Sequence, residues 1–175
     1  MWKILIKKAE EIGFTHAGVL DPATLKVREM VRDTCASGRC TAYGRNWTCP
    51  PACGTLKECE ERMKKYERGI LLQTVGMLKK TIDTKGYMET EKKHREFLVA
   101  FGKEIRKVYP KALCLGAGGC RICETCAYPK PCRFPEQAIS SMEAYGLFVT
   151  QVCRDNHLEY NYGPKTIAYT ACILF

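Results

Sequence analysis

Apolar residues recur along the chain with two different periods, which divide it into alternating helices and strands. Spacings of three and four residues predict helices near residues 2–12, 22–34, 55–66, 88–108 and 140–152. Apolar, β-branched runs between them predict four strands, at 15–20, 69–77, 111–116 and 165–175. This alternation predicts an α/β fold for residues 1–175, a single domain with a small, mainly four-stranded sheet covered by helices.

Three of the predicted helices begin at recognisable start signals. Asp21-Pro22 offers an N-cap with proline at the first helical position, and Thr55 to Glu58 and Ser140 to Glu143 both match a capping box. The helix after Pro22 is expected to bury one stripe of side chains: Val27, Met30, Val31 and Thr34. His94 lies on the most highly charged helix, and we expect it at the surface or at its boundary.

The cysteine content is unusually high, with 12 cysteines in 175 residues. Such a content approaches that of secreted disulfide scaffolds. However, lysines interrupt the apolar run at residues 1–8, and no stretch reaches the roughly 20 apolar residues of a membrane span. The sequence therefore predicts a cytoplasmic protein whose cysteines bind metal or perform redox chemistry.

Ten of the cysteines fall in two windows, at 35–59 and 114–132. These windows predict metal-binding loops at about 35–54 and 114–135. The second window contains Cys120, Cys123, Cys126 and Cys132 in the spacing C-x2-C-x2-C-x5-C. Two intervening residues let successive thiolates reach different irons of a 4Fe-4S cluster, whereas zinc sites usually take cysteines in separated pairs. The gap of five residues departs from the bacterial ferredoxin run, so Cys132 could bind this cluster or another one.

The first window is less regular, and we predict a second site at Cys35, Cys40, Cys49 and Cys53, with the fourth ligand open. Radical S-adenosylmethionine chemistry is excluded, because the C-x3-C-x2-C spacing that it requires is absent.

Three further residues are predicted to contact the clusters. Trp47 could shield a cluster from water, and Gly118 and Gly119 could bring backbone N–H groups to cluster sulfides.

The four cysteines that are not among the eight predicted metal ligands occupy apolar positions of predicted helices and strands, where a free thiol packs as a small hydrophobic group. These are Cys59, Cys114, Cys153 and Cys172. The three histidines form no paired ligand set, so a catalytic metal held by histidine is not expected.

The formal net charge is +9, which by itself suggests an acidic partner such as nucleic acid. Each four-thiolate site with zinc or an oxidised 4Fe-4S cluster carries about −2, so two sites would lower the net charge to roughly +5. This correction weakens the case for nucleic acid and favours an acidic redox protein as the partner.

Several motifs together resemble a family of small cysteine-rich proteins from anaerobic bacteria and archaea, described as predicted metal-binding proteins of unknown function. They are the segments 43–51, 115–126, 131–135 and 140–146. The resemblance implies metal at Cys35, Cys40, Cys49, Cys120, Cys123, Cys126 and Cys132, a set that does not include Cys53.

The leading hypothesis from the sequence is a protein with two 4Fe-4S clusters that passes single electrons to a partner redox enzyme, more an accessory protein than a stand-alone enzyme. One alternative is a zinc-stabilised module that binds nucleic acid or protein. Another is an enzyme in which a cluster with three cysteine ligands leaves one iron open to a substrate.

Overall fold

A five-stranded mixed sheet with helices on both faces forms the fold in the computed structural model, which describes residues 1–175. The helices are α1 (Trp2–Ile12), α2 (Glu29–Ala36), α3 (Leu56–Met63), α4 (Thr84–Val108) and α5 (Val149–Asp155). The strands are β1 (His16–Leu20), β2 (Gly69–Met77), β3 (Leu113–Gly116), β4 (Ser140–Ser141) and β5 (Thr166–Leu174). Their spatial order is β1-β2-β5-β3-β4, and only the β3–β4 pair is parallel.

The alternation of side chains along β2 divides the apolar core into two layers. Ile70 and Leu72 point to the face covered by α1 and α4, where they belong to one cluster with Phe101. Leu71 points to the opposite face, in a cluster with Met63 of α3. Because successive residues of a strand face opposite sides, this apolar run buries both faces of the sheet.

The prediction of four strands is wrong by one, because β4 lies where a capped helix was expected. Ser140 and Ser141 pair with β3, and Ser141 Oγ accepts a hydrogen bond from Ala144 N at 3.0 Å. Only a 3-10 turn follows, and it ends at Gly146 in the left-handed region. Backbone pairing with β3 therefore replaces the helix until α5 begins.

The prediction of a helix directly after Pro22 is also wrong, although Asp21 does cap a short turn there. The Asp21 carboxylate accepts a hydrogen bond from Ala23 N at 2.9 Å, but the 3-10 turn ends after Thr24. Val27 instead forms a β-bridge with Leu147, and Met30 is 68% exposed. The capping box at the start of α3 is confirmed.

His94 is not at the surface as expected, because its face of α4 packs on the sheet. Its imidazole is 2% exposed, and Nδ1 lies 2.9 Å from Thr74 Oγ1 of β2. The charged residues of α4 cover the other faces of the helix. Their number made the whole segment look exposed in the sequence, although His94 lies on its buried face.

The four cysteines predicted for the core are buried, and none takes part in a disulfide. None of the five helices combines the length and apolar character that a transmembrane span requires.

Replacing Cys172 by alanine should lower the free energy of unfolding by about 1 to 2 kcal/mol, because it removes a sulfur from a fully buried position of β5. Metal content should not change. Denaturant unfolding and metal analysis would measure both, with Met30→Ala in exposed α2 as the control that leaves stability nearly unchanged. Loss of bound metal from Cys172→Ala would contradict the core assignment.

Candidate metal centres

The two cysteine-rich loops contact each other through a pair of buried polar residues. The first loop joins α2 to α3, and the second joins β3 to β4. Asn46 Nδ2 donates a hydrogen bond to the Cys120 carbonyl at 3.2 Å, and Cys120 N donates to Thr48 Oγ1 at 3.2 Å. Asn46 and Thr48 are both buried. These bonds fix the position of one loop on the other at a predicted metal ligand.

The four cysteines predicted for the first site lie near one another. Burial, together with the neighbouring Cys40, Cys53 and Cys35 thiols, raises the pKa of Cys49 to about 11, although a hydrogen bond with Thr48 acts in the opposite direction. Burial, followed by the nearby Cys40 thiol, also raises the pKa of Cys35. The fold therefore gathers these thiols into one group, which we call the first cysteine group.

Cys53 is the member of this group that most favours the thiolate. The neighbouring Cys59 thiol and Arg32 lower the pKa of Cys53 to about 6, against the opposing effect of burial. Arg32 Nη2 lies 3.3 Å from Cys53 Sγ and also donates to the Gly54 carbonyl. Arg62 of α3 donates to the Cys53 carbonyl at 2.8 Å. The surroundings of Cys53 thus suit a negatively charged sulfur, as a metal ligand requires.

The second cysteine group lines one cavity, whose volume is about 350 Å³ when the part that is open to solvent is included. All four of its members line the wall: Cys120, Cys123, Cys126 and Cys132. The first loop contributes Asn46, Trp47 and Thr48 to the same wall. Residues close in sequence to the first group therefore shape the environment of the second.

Trp47 covers part of this cavity and is held on two sides. Its indole Nε1 donates to the Lys130 carbonyl at 2.8 Å, and its ring meets Tyr128 edge to face at 5.0 Å between centroids. The ring also lines the cavity that contains the second cysteine group. This position agrees with the shielding role that the sequence suggested, which stays a prediction.

The two predicted glycines face different neighbours. A side-chain carbon added to Gly119 would lie 3.5 Å from Cys49 Sγ, so this residue, which precedes Cys120 in the chain, lies close to the first cysteine group. Gly118 adopts a φ of 70°, and a carbon added there would lie 3.3 Å from Glu91 Oε1 of α4. Only Gly119 thus approaches a predicted ligand of the first group.

Within neither group do the side chains converge on one point. No three Cys, His, Asp or Glu side chains come together as the ligands of a single metal ion do. All twelve thiols are free. The donor set itself, two groups of four sulfurs with arginine beside one of them, fits a thiolate-bound metal centre.

Four residues near the cysteines were not predicted from the sequence: Arg32, Asn46, Thr48 and Glu143. Arg32 precedes Cys35 by three residues on α2, a spacing that places both on one face of the helix. Burial raises the pKa of Glu143, whose Oε2 is buried without a hydrogen-bond partner, and its carboxyl raises the pKa of Cys35. A buried carboxyl group therefore adjoins the first cysteine group.

A protein-family model described as "Predicted metal-binding protein (DUF2284)" matches residues 18–175, and the chain belongs to this family. The match includes both cysteine groups and all five strands except the first residues of β1. Searches of curated proteins and of solved structures give no significant match.

Replacing Cys126 by serine should remove about half of the bound metal, because this thiol belongs to one group and the other group keeps all its sulfurs. Metal analysis of the purified variant would measure the loss. Cys153→Ala is the matched control, a buried cysteine outside both groups that should retain full metal content. Full retention in Cys126→Ser would contradict the assignment of the second group.

Proposed function

We propose that this predicted metal-binding protein holds two 4Fe-4S clusters and passes single electrons between a donor and a partner redox enzyme. The observation that carries the proposal is the contact between the two cysteine groups, in which the Gly119 backbone lies against Cys49 Sγ and is covalently joined to Cys120. Two adjacent thiolate centres in one small chain form a short path for an electron.

The arrangement of the second cysteine group favours a cluster over a single ion. In a 4Fe-4S site each thiolate binds a different iron, so the ligands surround a volume, whereas zinc draws four sulfurs to about 2.3 Å from one point. Cys120, Cys123, Cys126 and Cys132 surround a cavity instead of meeting at its centre. Bound clusters of this kind supply reversible one-electron transfer.

In the first cysteine group, we assign Cys53 as the fourth ligand beside Cys35, Cys40 and Cys49. Arg32 Nη2, at 3.3 Å from Cys53 Sγ, stabilises the thiolate and offsets part of the negative charge of the group. Hydrogen bonds to ligand sulfur are also one of the means by which proteins adjust the reduction potential of such a centre. Cys59 stays a core residue that contacts Cys53 from inside.

Residues of the first loop would keep water away from the second centre. Trp47 covers the cavity from one side, and the Asn46 and Thr48 bonds to Cys120 close the gap between the loops. Excluding water from one side of a charged centre changes its potential and protects it from reaction with solvent species.

An acidic redox protein is the partner that the surface suits best. Ile122 and Phe134 line the second cavity and are 37% and 41% exposed, so they form an apolar rim at its opening. Arg121 and Arg133 beside them are exposed. An apolar centre with cationic neighbours matches the usual composition of a transient protein interface. The net charge, roughly +5 when both sites are filled, would attract an acidic surface. The proposal places the protein in a reducing compartment such as the cytoplasm.

Protein purified without oxygen should contain about eight irons and about eight acid-labile sulfides per chain, because two 4Fe-4S clusters hold that number. Electron paramagnetic resonance should detect reversible one-electron reduction. Stoichiometric zinc without sulfide would contradict the proposal and support the zinc-stabilised binding module.

Cys53→Ala tests the ligand assignment and separates an electron carrier from an enzyme with an open iron. If Cys53 is a ligand, the variant should lose the first cluster, about half of the iron. Cys59, the neighbouring thiol that is not assigned as a ligand, is fully buried and could not replace Cys53 without leaving the core. Cys153→Ala again serves as the control. If Cys53→Ala retains both clusters and a small iron-binding molecule alters one spectrum, the first centre has an open iron and the enzyme alternative replaces the carrier.

A further inference from the structure

A cleft next to the cavity of the second cysteine group opens between α4 and the segment that leads from β3 into the second loop. Its volume is about 410 Å³ when the part that is open to solvent is included. Its walls come from one side of α4, from residues 116–122 and from the approach to β4. Cys120 and Ile122 line both this cleft and the second cysteine cavity, so the two spaces are neighbours.

His94 lines the cleft, is almost fully buried, and has one ring nitrogen without a hydrogen-bond partner. Its Nδ1 is 2.9 Å from Thr74 Oγ1, whereas its buried Nε2 has no hydrogen-bond partner. Phe14 packs edge to face against the imidazole at 5.8 Å, and Tyr169 lies at 6.2 Å. Nearly all buried polar atoms are hydrogen bonded. An unpaired buried nitrogen on a residue that lines a cleft therefore indicates that a ligand atom could complete its hydrogen bonding.

Burial also keeps this imidazole uncharged. It lowers the pKa of His94 to about 4, although the Thr170 backbone partly offsets the effect. A neutral imidazole whose Nδ1 already has a partner offers one further hydrogen bond, at Nε2.

The mouth of the cleft carries an excess of positive charge. Arg95 and Arg121 line it, and both approach the same carboxylate oxygen, Glu91 Oε1, at 3.6 and 3.5 Å. One carboxylate thus faces two guanidinium groups, which leaves one positive charge and several N–H donors free. Apolar side chains, Leu98 and Ile139 among them, also line the cleft, together with Gln137.

From this arrangement we infer that the cleft binds a small organic acid that carries a hydroxyl or oxo group. The carboxylate would pair with Arg95 and Arg121, and the hydroxyl or oxo oxygen on the neighbouring carbon would meet His94 Nε2. The short apolar end of the acid would face Leu98 and Ile139. The inference does not depend on which metal the cysteines hold, because the recognition groups belong to α4 and to Arg121. The ligand would nevertheless lie beside the second cysteine group.

Four related probes separate the parts of this recognition. Lactate and pyruvate contain both features, propionate lacks the oxygen for His94, and lactamide lacks the negative charge. Calorimetric titration of the metal-loaded protein should detect binding of lactate or pyruvate. Propionate and lactamide should bind roughly tenfold more weakly or worse, because each loses a hydrogen bond or a charge-assisted pair.

Substitutions assign the binding to the cleft. Arg121→Gln, at an exposed side chain, should weaken lactate or pyruvate about tenfold, and His94→Phe should abolish the preference for these acids over propionate. Lys92→Gln, on α4 but outside the cleft, is the control and should leave affinity unchanged.

Two results would overturn the inference: neither acid binds at millimolar concentration, or binding does not change in Arg121→Gln. The second result can be obtained even if His94→Phe fails to fold. Iron and sulfide analysis of the same samples tests the proposed function separately, so failure of one proposal can be told from failure of the other.

Discussion

The two hydrogen bonds between the first loop and the Cys120 backbone are the contact on which the arrangement of the cysteines depends. Neither loop has regular secondary structure, so no ladder of backbone bonds fixes one loop relative to the other. Asn46 and Thr48 are themselves joined, since Thr48 N and Thr48 Oγ1 both donate to Asn46 Oδ1 at 3.0 Å. The pair thus presents one donor and one acceptor to Cys120 at fixed positions. Because all these groups are neutral and satisfied, their burial costs little, and they can hold two sets of mutually repelling sulfurs in contact.

Electrostatics make the first cysteine group a site that releases protons when it binds metal. Burial raises the pKa of Cys35 and Cys49, so at neutral pH these thiols keep their protons while the site is empty. Cys53, in contrast to these two thiols, is favoured as a thiolate, with Arg32 as its counter-charge. A metal must therefore displace protons from the buried thiols, and its affinity should rise with pH. The arginine limits the repulsion that four thiolates would otherwise exert on one another.

The sequence predicted the features that depend on residues close together in the chain. It missed the features that depend on contacts between distant segments. The capping box at Thr55 and the burial of Cys172 follow from neighbouring residues, and both agree with the structure. The two-residue strand β4 has no period of its own and exists because β3 offers it a partner. His94 was misplaced for the same reason, since its partner Thr74 lies on a different element. Cysteine spacing likewise indicated two groups, but Asn46 gives no local sign that it bonds to Cys120 far along the chain.

The segment from Gly116 to Ile122 belongs to both proposals, and this shared position links them physically. It forms one wall of the cleft, carries Cys120 and places the Gly119 backbone against Cys49 Sγ. Arg121 ties the same segment to Glu91 of α4. A ligand that pairs with Arg121 would compete with Glu91 for this ion pair. It would therefore alter the position of the segment relative to the second cysteine group. Coupling between two binding events is reciprocal in free energy, so whatever an acid in the cleft does to metal affinity, metal binding must do equally to the affinity for the acid.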